Sequence, residues 1–168
     1  MKQSQQISFK ILNRDHLKPQ LKRWKLLDKK IVFTNGVFDI LHLGHLSLLN
    51  QAAAFADILI VGVNSDSSVK KLKGNSRPVN GEYSRALLLA SLLMVDAVII
   101  FEEETPIDLI KTIKPNVLVK GGDYTRDNIV GAKEILNNGG DVKIVPIEEG
   151  FSTSLIIEKA KKTNSIIK

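Results

Sequence analysis

The chain has 168 residues, of which 43% are hydrophobic and 25% charged, with no cysteine and a formal net charge of +6, the size and make-up of one globular domain. A disulfide framework, a thiolate metal site and a cysteine nucleophile are excluded; no apolar run approaches the roughly 20 residues that span a bilayer, and the N-terminus lacks the roughly 7 to 15 apolar residues of a secretory signal, so a cytoplasmic protein with no membrane partner is expected. Charge is uneven, with +7 in residues 1–30, +3 in residues 158–168 and −4 in the body between them, so nucleic acid is not the expected ligand: a duplex-binding surface draws its positive stripe from the folded body.

The first 30 residues alternate basic and apolar groups, and Leu17, Leu21, Trp24, Leu26 and Leu27 are spaced for a short amphipathic helix. They read as a basic, partly helical appendage to a domain over 31–168. Residues 31–34 form a β-branched and aromatic run suited to a buried parallel strand, which Asn35-Gly36 breaks. A helix is predicted over 44–55. The clearest buried strand is 58–63, ended by Asn64-Ser65-Asp66-Ser67, residues suited to turns and caps. A helix over 83–93 precedes a strand over 97–101. Thr105 reads as an N-cap with Pro106 at the first helical position of a helix reaching 113. A strand over 117–119, a helix over 129–136 and a strand over 141–146 follow, and Ser152-Thr153-Ser154 opens a C-terminal helix.

Strands and helices alternate, and the strands are continuously apolar. That pattern predicts a single α/β domain: a doubly wound, Rossmann-like parallel sheet of about five strands with helices on both faces. Ligands of such sheets bind beyond the carboxyl ends of the strands, so residues just after strands carry the information. After the first strand comes His42-Leu43-Gly44-His45, at the start of a helix. Two histidines three apart on one helical turn face the same point. The helix N-terminus supplies free N–H groups and partial positive charge, the imidazoles add donors, and Gly44 removes a side chain that would keep a phosphate away. The bland alternative is a pair of polar residues at a helix end. Neither a dinucleotide fingerprint nor a Walker-type loop is present. A zinc site lacks a third ligand, since the only other histidine is His16 in the basic leader.

Phe33-Thr34-Asn35-Gly36-Val37-Phe38-Asp39-Ile40-Leu41-His42-Leu43-Gly44-His45 resembles the first signature of the cytidylyltransferase-like nucleotidyltransferases. Val63-Asn64-Ser65-Asp66, Leu72-Lys73-Gly74, Arg77-Pro78-Val79, Val119-Lys120-Gly121-Gly122-Asp123-Tyr124 and Gly150-Phe151-Ser152-Thr153-Ser154 are similar to one branch, the D-glycero-β-D-manno-heptose 1-phosphate adenylyltransferases of ADP-heptose synthesis. The likeness covers about 31–160 and makes 31–168 a nucleotidyltransferase domain. It implies attack of a sugar 1-phosphate oxygen on the α-phosphorus of ATP, with Mg2+ carried by the nucleotide rather than by protein side chains. Because the nucleophile is already ionised, positioning and charge neutralisation are what the protein must supply.

By the same resemblance, His42 and His45 bind the triphosphate and stabilise the transition state, and Thr34 brings its hydroxyl near the reacting phosphates. Asn35, Gly36, Phe38 and Gly44 belong to the same nucleotide site. Lys73, with Lys70 and Arg77, meets the sugar phosphate and the departing pyrophosphate; a solvated basic loop is the alternative. Asn64 and Arg85 are candidates on the substrate side, although Arg85 reads equally as a surface residue. Lys120, Gly122 and Asp123 are assigned to nucleotide recognition, against a plain turn. Ser152, Thr153 and Ser154 match the family's second signature, and an ordinary N-cap would look the same.

Some members of the branch are fused to a sugar kinase, for which this chain has no room; a separate heptose kinase and a homodimer are the partners implied. A glycerol-3-phosphate cytidylyltransferase is the nearest rival enzyme, but Ile147-Glu148-Glu149-Gly150 stands where those proteins resemble Arg-Thr-Glu-Gly. The rival of another class is a non-catalytic nucleotide- or RNA-binding module gripping through its basic ends.

Overall fold

The computed structural model describes residues 5–122, 124–146, 148 and 150–164. Six strands form one sheet: β1 (Ile11–Leu12), β2 (Ile31–Gly36), β3 (Ile58–Asn64), β4 (Ala97–Phe101), β5 (Val117–Gly121) and β6 (Asp141–Val145). Their order is β1-β4-β3-β2-β5-β6, and every pair is parallel. The sheet therefore has six strands where about five were expected. The sixth comes from the basic leader, where Ile11 and Leu12 pair with Val98 and Ile99; two residues are too few to leave a periodic signature.

From β2 the chain winds outward through β3 to β4, then crosses back to β5 and β6. Strand order reverses between β2 and β5, which makes the crevice at their carboxyl ends the expected ligand site of a doubly wound sheet.

The helices are α1 (Gln5–Ser8), α2 (Arg14–Leu26), α3 (Leu43–Ala53), α4 (Asp66–Lys73), α5 (Glu82–Ala90), α6 (Ile107–Ile113), α7 (Ala132–Asn137) and α8 (Thr153–Asn164), with a 3-10 turn at Arg126–Asn128 before α7. Alternate strand residues feed two cores, as the period of two requires. Ile31, Phe33, Ile60 and Ile99 pack with α2, α6 and α7 on one face. Val32, Leu59, Val61, Val63 and Val98 pack with α3 and α5 on the other.

Three elements depart from expectation. Leu17, Leu21 and Trp24 of α2 are buried, but Leu26 and Leu27 are exposed, because α2 ends at Leu26 and Asp28 turns into the left-handed region at φ 52°. The segment after β3 is helical rather than a loop: Ser65 caps α4 by accepting the Ser68 N–H at 3.2 Å. Only Ser68 and Val69 of α4 are buried, so its apolar periodicity is nearly silent. Pro106 itself occupies the N-cap of α6, one position later than the cap expected at Thr105. Among the described residues no helix is long and apolar enough to cross a membrane.

Candidate active site

β2 and β5 pair only at Val32 with Val117 and Phe33 with Leu118. Beyond them the strands part, and Lys120 bridges the gap. Its Nζ donates to Asn35 Oδ1 at 2.6 Å and to the Asn35 carbonyl at 3.2 Å. Burial lowers its pKa to about 8, since removing an ammonium from water favours the neutral amine.

After β2 the backbone turns sharply. Phe38 takes φ 51° while buried, a left-handed conformation that costs a non-glycine residue about 1–3 kcal/mol and persists only where the surroundings enforce it. Its ring lies 5.1 Å from that of His45. Asp39, next in the chain, is also buried. It accepts from Arg77 Nε at 2.6 Å and from the N–H groups of Val79 and Asn80 at 2.8 and 2.9 Å. Burial pushes its carboxyl up, but the Asn80, Val79 and Arg77 donors outweigh that and hold it below the ordinary range.

His42 is the N-cap of α3, and His45 lies in the first turn. Their rings stack, with centroids 3.7 Å apart and planes 25° from parallel. Neither Nδ1 has a hydrogen-bond partner although both are buried. Burial lowers the His42 pKa. His45 falls to about 4, through burial first and then the nearby His42 and Lys73, which outweigh a favourable Ile40 backbone contact. Two stacked cations would repel, so the pair stands neutral near pH 7, each ring offering one N–H. Gly44 has a more local purpose than expected: a Cβ there would come within 3.2 Å of His42 Cε1 and Nδ1 and 3.7 Å of Phe151 Cβ. It makes room for the His42 ring.

Opposite this turn, α8 begins. Ser152 caps it, its Oγ accepting the Leu155 N–H at 3.1 Å. Between the N-termini of α3 and α8 lies a cavity of about 390 Å3. Asn35, Gly36, Phe38, His42, Gly44, His45, Lys73, Ser152, Thr153 and Ser154, all anticipated from the sequence, line it together. Val37, Leu48, Gly121, Tyr124, Pro146 and Phe151 complete the wall. Two helix N-termini, hydroxyls, imidazoles and an ammonium around one space have the chemistry to receive a multiply charged phosphate group.

Other expected residues lie elsewhere. Thr34 is wholly buried, and its Oγ1 lacks a hydrogen-bond partner; it does not line the cavity. Lys120 is also absent from the lining, its ammonium being spent on Asn35. Gly122 adjoins the cavity wall at φ 120°, its N–H donating to the Val145 carbonyl at 3.1 Å. Asn64 is buried, donating from Nδ2 to Ser68 Oγ at 3.0 Å. Lys70 is exposed on α4, and Arg77 lines a neighbouring cleft instead. Asp123 falls outside the described residues.

Arg85 needs correction: it is neither at the surface nor at the cavity but fully buried. Its guanidinium donates to the carbonyls of Asn80, Val37 and Asn64 at 2.9, 2.6 and 2.7 Å and to Asp66 Oδ1 at 2.8 Å. Every nitrogen is spent on holding strand-end loops together. Asp39 was missed, although a single carboxylate inside the apolar run 37–41 is a signal that it meets a specific partner.

Among the described residues no three His, Asp or Glu side chains gather to hold a metal ion. The cavity's donors suit phosphate oxygens, and the buried Asp39 carboxylate is committed to Arg77.

The family model described as cytidylyltransferase-like matches residues 33–166. The chain belongs to that family. It is 56% identical over 150 residues to the Bifunctional protein HldE of Koribacter versatilis, covering 89% of this chain and 31% of that protein. With the Bifunctional protein HldE of Helicobacter pylori it shares 52% identity over 158 residues, 92% of this chain and 33% of the relative. The chain thus spans about a third of the length of the curated relatives it matches. Among solved structures, a lipopolysaccharide core biosynthesis protein from Thermoplasma volcanium superposes with a TM-score of 0.58 at 34% identity, covering 71% of this chain and 97% of the other. A pantoate-β-alanine ligase from Francisella tularensis, at 19% identity and a TM-score of 0.57 over 90% of this chain and 76% of its own, shares the fold.

Proposed function

We propose that the chain is an adenylyltransferase that moves AMP from ATP to D-glycero-β-D-manno-heptose 1-phosphate, giving ADP-heptose and pyrophosphate for lipopolysaccharide core synthesis. One observation carries this reading: the stacked His42 and His45, Lys73 and the hydroxyl-bearing start of α8 all line one cavity beside the strand-order reversal. Family membership and relatives at 52% and 56% identity support it.

In this mechanism an oxygen of the acceptor phosphate attacks the α-phosphorus, and the bond to the β-phosphate breaks with its electron pair leaving on pyrophosphate. No proton has to be removed from the nucleophile. The N–H groups of neutral His42 and His45 bind phosphate oxygens as charge builds on the bridging oxygen, and Lys73 neutralises the leaving group. Ser152, Thr153 and the α8 N-terminus hold the triphosphate tail. Mg2+ carried by the triphosphate, rather than held by protein side chains, would offset part of its charge. A cytoplasmic location, a heptose kinase as supplier of the acceptor and a homodimer belong to the same proposal.

The test is pyrophosphate release measured over four NTPs against heptose, glycerol and hexose phosphates. Turnover that needs ATP, magnesium and heptose 1-phosphate together is expected; none with any pair overturns the proposal.

A further inference from the structure

Among the described residues three other than glycine have positive φ: Asp28, Phe38 and Lys114. Asp28 and Lys114 are exposed at the ends of α2 and α6, where a left-handed residue is a common way to stop a helix. Phe38 is different. It is 3% exposed and lies between β2 and α3, at no helix end. An aromatic residue keeps such a conformation only where its surroundings enforce it.

The enforcement is a closed circuit of hydrogen bonds. Arg85 Nη1 donates to the Val37 carbonyl at 2.6 Å and Arg85 Nε to the Asn80 carbonyl at 2.9 Å. Asn80 in turn donates its N–H to Asp39 Oδ1 at 2.9 Å and its Nδ2 to the Asp39 carbonyl at 2.6 Å. The residues before and after Phe38 are therefore fastened to one loop residue. Asp66 Oδ1 and the Asn64 carbonyl, at 2.8 and 2.7 Å, fix the guanidinium itself. Bonds to a buried charge are strong and costly to break, so the clamp outweighs the backbone strain.

What the clamp aims is a ring. Phe38 lies over Gly36, where a Cβ would come within 3.2 Å of Phe38 Cε2, and its ring centroid is 5.1 Å from that of His45, with planes 56° apart. His42 stacks on His45 at 3.7 Å. With one favourable backbone contact, to Ile40, and an unpartnered Nδ1, the His45 imidazole takes its orientation largely from these two rings.

We propose that Phe38 is a positioning residue for His45, and that the Arg85–Asn80–Asp39 circuit is the device that holds it in place. Arg85 thus serves the reaction from outside the cavity, through Val37 and Phe38, without touching a substrate. The proposal rests on nucleotidyl transfer as the chain's reaction.

Its test compares Phe38→Leu, Arg85→Lys and their double variant in steady-state pyrophosphate release with ATP and heptose 1-phosphate. ATP affinity is measured by calorimetry and the His45 titration by nitrogen NMR. Leucine fills the core but has no ring, and lysine has one nitrogen where the guanidinium uses three. In both variants kcat is expected to fall by about ten-fold or more, since misplacing a reacting group by about 1 Å can cost about 100-fold. ATP affinity stays within about three-fold of wild type, the pattern of a group that acts mainly in the transition state. The double variant is no worse than Phe38→Leu, as two residues on one path require. The loosened His45 ring gains water, so its titration midpoint rises from about 4 in both variants. Wild-type kcat in folded Phe38→Leu, or losses that multiply in the double variant, overturn the proposal. So does a fall in ATP affinity as large as the fall in kcat, which places Phe38 directly on the nucleotide. Phe38→Leu decides alone if Arg85→Lys does not fold. Wild-type protein inactive with every acceptor would overturn the reaction instead, and an unmoved His45 midpoint would still overturn the positioning.

Discussion

Lys120 Nζ sits 2.6 Å from Asn35 Oδ1 and ties β5 to β2 just past their last paired residues, at the rim of the phosphate cavity. This buried ammonium has a folded-state pKa of about 8, against 10.5 ordinarily. Between those values the unfolded chain binds the proton and the folded one does not, so the cost of burying Lys120 is full below about pH 8 and is relieved as pH rises toward 10.5. Urea midpoints of wild type minus Lys120→Met are therefore expected to move in favour of wild type across that window. A difference that stays flat would mean the ammonium is not desolvated.

Removal of an imidazole from the stacked pair leaves the cavity without one N–H aimed at phosphate. His45→Ala is expected to lower kcat by about 10²–10³, the usual effect of deleting one preorganised donor. Circular dichroism should be unchanged. Because both rings are neutral in the free protein, bound triphosphate should raise the His45 pKa above about 4, visible by nitrogen NMR as a titration midpoint moved to higher pH. A pKa unmoved by ATP would separate His45 from the phosphates.

Much of this site was legible in the sequence because it obeys local rules. The strands are continuous β-branched runs, and His42, Gly44, His45 and Ser152 sit at helix starts, where spacing alone implies a shared direction. What stayed hidden depends on contacts far apart in the chain. Lys120 meets Asn35 across 85 positions and Asp39 meets Arg77 across 38. No periodicity encodes such pairs. Arg85 misled for the opposite reason: a lone arginine at a helix start looks solvated, and only the convergence of the Val37, Asn64 and Asn80 carbonyls makes its burial possible.

Acid stability follows from two other groups. The folded His45 binds its proton at about 4, against an ordinary 6.5. The unfolded state thus takes up a proton first, and stability is full above about pH 6.5 and declines as pH falls toward 4. Asp39, held below its ordinary 3.8, adds stability that is present above 3.8 and lost as pH falls through the lower folded value. His45→Gln should lessen the fall in melting temperature between pH 6.5 and 4, leaving the share of His42, whose pKa burial also lowers, and the loss below it that Asp39 causes. A slope identical to wild type in the upper window would place the titration elsewhere.

Gly44→Ala tests whether the glycine serves the histidine ring. The added methyl must displace His42 from its 3.2 Å approach, and misplacing a reacting group by about 1 Å can cost about 100-fold in rate. Turnover should fall steeply with little change in melting temperature. Wild-type turnover would show that His42 can shift without consequence.

The basic leader is joined to the sheet through β1 and to the core through α2, so its positive charge is coupled to folding. Leu17 is 0% exposed and packs in the cluster that includes Phe33 and Ile113, and Leu17→Ala should cost about 2–5 kcal/mol in urea unfolding, the range for a buried leucine truncated where the core cannot collapse. Lys18, Lys22 and Lys25 lie on the solvent side of the same helix. Were RNA the ligand, their combined replacement by Gln would weaken a salt-sensitive affinity and leave pyrophosphate release alone. For a nucleotidyltransferase whose α2 is a packing element, the same triple variant should keep both its melting temperature and its turnover, because none of the three ammoniums reaches the cavity.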